Sequence, residues 1–165
     1  MHMYRSTLFI IFILSIISCQ QDLIQEEISE SLGGDIPAEL TSYFKAFQDE
    51  AEHHGVIVDY DAANVTAEIE VFNQGSVAGT CTTNGHDLRH ITIDKEFWNK
   101  ASHLLKEMII FHELGHCILG RGHKEDSFEN GVCQSIMRSG LGSCSDAYVS
   151  QNRSYFITEL FTGEN

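Results

Sequence analysis

His112-Glu113-Leu114-Gly115-His116-Cys117-Ile118-Leu119-Gly120-Arg121-Gly122-His123 is the stretch on which the reading of this chain turns. Residues four apart on an α-helix share a face, so His112 and His116 point the same way. Two imidazoles so placed can hold one zinc ion, each at roughly 2.0–2.1 Å. Glu113 is rotated by roughly 100° from His112. It misses the metal itself but can reach a metal-bound water, where a general base is needed. His123 lies seven residues beyond His116. On a continuing helix it would sit roughly 10 Å further along, too far to share the ion. The chain must therefore leave the helix and turn back, and Gly120 and Gly122 supply the freedom to do so. Asp126, Glu129 or a water are the alternatives for the third position. Neutral imidazole suits zinc well, and the glycines are placed to return His123, which favours it.

The flanking sequence reads as a frame for this helix. From Glu96 the pattern turns helical, and Ala101, Leu104, Leu105, Met108, Ile109, Phe111, Leu114, Ile118 and Leu119 are apolar around most of the circumference. Such a helix is buried on several sides and makes a rigid platform for ligands. Upstream, Pro37 opens a helix at a position where its missing N–H is harmless. Leu40, Tyr43, Phe44, Phe47 and Ala51 recur at helical spacing, and His53-His54-Gly55 ends the run. Val56-Ile57-Val58 begins a strand. Residues 65–72 alternate apolar with polar as a half-buried strand, and residues 90–94 do so again, with Ile91 and Ile93 on one face. Residues 75–81 form a short strand rich in Gly and Thr, a candidate sheet edge to which an extended peptide could add. Asn84-Gly85 marks a turn. His86 and His90 could bind a second metal, but surface histidines are the commoner explanation. Residues 145–161 predict a last helix, capped by Ser145 or Asp146, with Tyr148, Tyr155, Phe156 and Leu160 on its apolar face.

Composition bounds the function. The chain has 165 residues with 24 Asp and Glu against 10 Lys and Arg, a net charge of -14. A phosphate binder needs a basic patch, so we expect no nucleic-acid partner. Residues 8–17 are an apolar run preceded by Arg5 and followed by Ser18-Cys19. About ten residues are too few to span a bilayer, which takes about twenty. The pattern reads as an export signal. Ile16-Ile17-Ser18-Cys19 resembles the bacterial lipobox, which implies cleavage before Cys19 and its acylation. The expected organisation is a lipoprotein signal peptide over 1–18, a flexible acidic tether over 19–36 and one catalytic domain over 37–165. The product is then lipid-anchored at the bacterial cell envelope, on its periplasmic or outer face. Cys81, Cys117, Cys133 and Cys144 remain, an even count that suggests two disulfides in an exported protein. The sequence does not choose among their three pairings. We expect Cys133–Cys144, closing a loop around Met137, and Cys81–Cys117, tying an upstream strand to the histidine helix.

With these features in view, the sequence resembles a metzincin metallopeptidase. His112, Glu113, His116, Gly120 and His123 stand for that family's extended histidine motif, and Ser135-Ile136-Met137 for its methionine turn. The resemblance covers about residues 98–140. It departs in one respect: Gly120 and His123 come four and seven residues after His116, where the family has three and six. The resemblance implies an α+β fold with a small mixed sheet, a backing helix, an active-site helix, a Met-turn and a C-terminal helix. It implies one catalytic Zn2+ on His112, His116 and His123, with Met137 beneath it. The implied activity is zinc-dependent endopeptidase cleavage of a peptide or protein, through a metal-bound water activated by Glu113. Tyr148 or Tyr155 is a candidate aid to the oxyanion. We expect a monomer. Two other classes compete: a catalytically silent surface-binding lipoprotein on a peptidase scaffold, against which an intact Glu113 speaks, and a zinc amidase acting on cell-wall peptides.

Overall fold

Among the described residues, the sheet and other helices pack on the sides of the histidine helix. In the computed structural model, residues 35–72, 77–84, 88–140 and 142–163 are described. The elements run α1 (Ala38–His53), β1 (Val65–Glu70), β2 (Gly79–Thr83), β3 (Arg89–Asp94), α2 (Lys95–Lys100), α3 (His103–Cys117), α4 (Gly142–Ala147), a π-helical turn (Tyr148–Asn152) and α5 (Arg153–Thr162). This is an α+β chain with a small mixed sheet, as expected. The signal, Cys19 and nearly all of the tether fall outside the described residues.

The strands lie in the order β1-β3-β2, with β1 parallel and β2 antiparallel to β3. The register puts Val65, Ala67 and Ile69 beside Arg89, Ile91 and Ile93, and Cys81 beside Ile91. Side chains alternate across a strand, so these residues share one face. Cys81 on that face is bonded to Cys117 of α3, which identifies it as the face turned to the histidine helix. Ile91 and Ile93 are fully buried there. β2 lies at one of the two edges of the sheet, so the Gly- and Thr-rich segment supplies an edge strand, found at Gly79–Thr83 where 75–81 is expected from sequence; residues 77 and 78 are not strand, and residues 75 and 76 lie outside the described residues. Both expected disulfides, Cys81–Cys117 and Cys133–Cys144, are formed.

α1 backs α3 with the face expected of it: Leu40, Tyr43, Phe44, Phe47 and Ala51 are buried. Phe47 sits between Phe111 of α3 and Phe161 of α5, with ring centroids at 5.2 and 5.0 Å. His53 Nδ1 donates to the carbonyl of Asp49, and His54 stacks on Phe161, so both are helix-end residues.

Three local expectations are corrected. Val56-Ile57-Val58 is not a strand. Its backbone bonds go to the end of α1, with the Val56 N–H on the Ala51 carbonyl and Gln48 Nε2 on the Val58 carbonyl, and Ile57 projects to solvent at 94% exposure. The helical pattern from Glu96 is two helices, not one. Asp94 caps α2 through the Phe97 N–H at 2.7 Å, and Ser102 caps α3 through the Leu105 N–H at 3.3 Å. Ala101 is extended between them. Two side chains that satisfy orphan N–H groups make a break cheaper than one continuous helix. The last helix starts at Gly142 rather than at a Ser145 or Asp146 cap, and Ser145 Oγ bonds back to the Gly142 carbonyl. Its π turn has a packing consequence. Positions five apart on a regular helix diverge by about 140°. The wider turn lets Tyr148 and Arg153 reach the same carboxylate, Glu107 Oε1, at 2.7 and 2.6 Å.

The Phe47 contact joins three helices through one side chain. Phe47→Ala is expected to lower stability by about 3–5 kcal/mol, read as a lower urea midpoint at unchanged slope.

Candidate metal centre

α3 carries the first two histidines into the base of a cleft. The described lining includes Val77, Gly79, Cys81 and Thr83 on one side and Arg121 to His123 on the other, around a volume of about 570 Å³. α3 ends at Cys117, and Gly120 then adopts φ +64°, in the left-handed region where glycine alone is unstrained. The Arg121 N–H returns to the Gly115 carbonyl at 2.9 Å, closing the turn. His123 is thereby brought back to the helix, and one ligand atom from each of His112, His116 and His123 lies within 4.8 Å of the others. The additional residue before Gly120 is absorbed by this turn, so the displaced spacing does not remove His123 from the cluster. Asp126 and Glu129, the alternatives, are exposed and outside it.

Both helix histidines are oriented from behind. His112 Nδ1 donates to the Ile136 carbonyl, and His116 Nδ1 donates to the Arg121 carbonyl, each at 2.6 Å. A carbonyl only accepts, so these contacts place the ring proton on Nδ1 and leave a lone pair on each Nε2. The two Nε2 atoms face one another at 3.1 Å. A proton between them would require an imidazolium, which the site opposes. Burial pulls His112 down to about 4, and the nearby His116 and His123 rings pull in the same direction. Burial also lowers His116. Facing lone pairs repel unless a cation lies between them, and a set of neutral imidazoles is a donor set for a transition-metal ion. The three histidines can therefore hold a metal ion.

Glu113 is buried beside this cluster, against the edge strand. Desolvation pushes its carboxyl up to about 8, against the lowering effect of a hydrogen bond from the Cys81 N–H. Gly79 makes room for it: a Cβ there would lie 2.9 Å from Glu113 Oε1 and 3.1 Å from Ile93 Cδ1. On the other side of α3, Met137 is fully buried in a turn. A Cβ at Gly115 would lie 2.6 Å from Met137 Sδ, so the thioether packs directly against the helix between the two histidines.

Other candidates fall elsewhere. Tyr148 donates to buried Glu107, and Tyr155 donates to the Gln134 carbonyl at 3.0 Å. Both are structural contacts, away from the residues lining the cleft. His90 bonds Thr66 Oγ1 at 2.6 Å and Glu68 Oε1 at 3.0 Å on the opposite face of the sheet. His86 lies outside the described residues. The sequence reading missed the Ile136 and Arg121 carbonyls that orient the ligands. Any residue can supply a carbonyl, so side-chain identity carries no signal for this role.

The Glu113 environment sets a pH dependence for the metal-free protein. Between about 4.5 and 8 the folded chain keeps a proton that the unfolded chain has released. Stability must then fall as pH rises through that window, by at most about 1.4 kcal/mol per unit. With chelator present, wild type should lose stability relative to Glu113→Gln between pH 5 and pH 8. The histidine contributions are common to both proteins and cancel. Parallel urea midpoints across this range would contradict the assignment.

No protein-family model matches the chain, and no curated protein matches it.

Proposed function

We propose that this chain is a zinc-dependent endopeptidase with a metzincin-like centre, exported and anchored by lipid at Cys19. One observation carries the reading. A buried carboxylate, Glu113, stands beside a three-imidazole cluster in an open cleft whose rim is a sheet edge. A silent binding protein has no need of an acid–base group in that position.

The donor set suits zinc: three imidazoles would hold the ion and would leave a fourth position for a substrate or water. Zinc in such a site supplies Lewis acidity and lowers the pKa of a bound water. The remaining work belongs to the chain. Glu113 accepts a proton from the attacking water and returns it to the leaving amine. A metal ion bound beside it would draw its carboxyl down from the raised value and favour the ionised form that accepts a proton. β2 supports an extended peptide. The Ala78 carbonyl accepts from the Asp94 N–H, so by alternation Gly79, Cys81 and Thr83 direct their backbone groups away from β3. The Cys81 N–H is taken by Glu113, and the remaining groups border the cleft. The two disulfides fit an oxidising compartment outside the cytoplasm. No helix among the described residues is long and apolar enough to cross a membrane.

The test is cleavage of a diverse peptide library by purified residues 20–165 with zinc supplied, beside Glu113→Ala. Wild type is expected to cut, the variant to lose activity by at least about 100-fold, and chelation to abolish it. If both proteins hold one zinc and neither cuts peptides, the endopeptidase reading fails. Cell-wall peptides are then the next substrates to try.

A further inference from the structure

Glu159 of α5 is almost wholly buried, at 1% exposure, and belongs to no part of the mechanism above. Its carboxylate is surrounded by three side chains from the connection between α3 and α4. Arg121 Nη2 reaches Oε1 at 2.7 Å, Lys124 Nζ reaches the same oxygen at 3.4 Å, and Ser135 Oγ donates a short hydrogen bond to Oε2. Arg121 Nη1 also caps the end of α5 through the Glu159 and Leu160 carbonyls, at 2.9 and 2.7 Å.

Each of these partners orients or adjoins a candidate metal ligand or the residue that orients one. Arg121 supplies the carbonyl that holds His116. Ser135 precedes Ile136, whose carbonyl holds His112, and its Oγ also accepts the Met137 N–H at 3.0 Å. Lys124 follows His123, and its N–H is bonded to the Met137 carbonyl at 3.0 Å. One carboxylate therefore holds side chains of the segments that orient His112 and His116 and of the residue that follows His123.

We propose that Glu159 is the positioning residue of the metal centre, setting the mutual placement of His112, His116 and His123 without touching the ion. This rests on the reading of the three histidines as a metal site and is independent of what the protein cleaves. Charge is what makes the position specific. Two cations flanking the returning loop are drawn to one buried anion, and a neutral group of the same shape would keep the bond to Ser135 while losing the pull on the loop.

The experiment measures Zn2+ affinity of the purified protein by chelator competition, together with the visible spectrum of the Co2+ form. Glu159→Gln is expected to weaken Zn2+ binding by about 10- to 100-fold, the range seen when groups behind metal ligands are removed. It should also alter the Co2+ bands, which report ligand geometry. Arg121→Met should give a similar loss, and the double variant less than the sum of the two, because both act through one ion pair. Arg153→Met serves as a control for general destabilisation, since it breaks the ion pair with Glu107. It should lower thermal stability and leave Zn2+ affinity unchanged. If Glu159→Gln does not fold, Arg121→Met carries the test, because it leaves the carboxylate paired with Lys124 and Ser135. Unchanged Zn2+ affinity in both variants overturns the proposal, as does an equal loss in Arg153→Met. A wild-type protein that binds no Zn2+ overturns the metal site itself, a distinct outcome.

Discussion

Two neutral imidazoles with their lone pairs held toward each other are the constraint on which the centre depends. Left to themselves, His112 and His116 would rotate apart or share a proton. The chain prevents both, by holding each Nδ1–H on a backbone carbonyl and by burying the rings where an added charge is costly. The arrangement is unfavourable to everything except a cation. Much of the surrounding structure serves to maintain it: α1 and the sheet bury α3 from two sides, and the loops after α3 supply the carbonyls.

The same economy recurs on the far side of α3, where buried carboxylates organise helices. Glu107 gathers Tyr148 and Arg153, and Arg153 extends to Glu50 of α1. Glu159 gathers the loops. Neither acid is left unpaired, as low dielectric requires. An acidic chain with few cations has directed two of its arginines, Arg121 and Arg153, to these positions.

What could be read from sequence was what repeats along the chain. The spacing of His112, Glu113 and His116 carried geometry directly, because the helix period converts sequence distance into direction. The buried face of α1 and the alternation in β1 and β3 were legible for the same reason. Glu159 was not, since its partners lie 35 and 38 residues earlier and a glutamate near the end of a helix reads as a solvated one. The break at Ser102 was hidden because the apolar pattern continues across it, and only capping chemistry marks the boundary. Val56-Ile57-Val58 looked like a strand by composition. Its backbone is bonded to α1 instead of to a neighbouring strand.

The bond between Cys81 and Cys117 joins the rim of the cleft to the residue after the second histidine. Rim and floor are thus one mechanical body across a loop of 36 residues. The opposite wall, carrying His123, continues from Cys117 through the peptide chain and is braced by the Arg121 N–H on the Gly115 carbonyl and by the ion pair of Arg121 with Glu159, with no disulfide of its own to the strand side. A change in the width of the cleft would therefore be opposed by a disulfide on the strand side and by hydrogen bonds and an ion pair on the other. The two sides are like the jaws of a vice, of which the strand jaw is welded to the bed and the loop jaw is clamped by polar contacts.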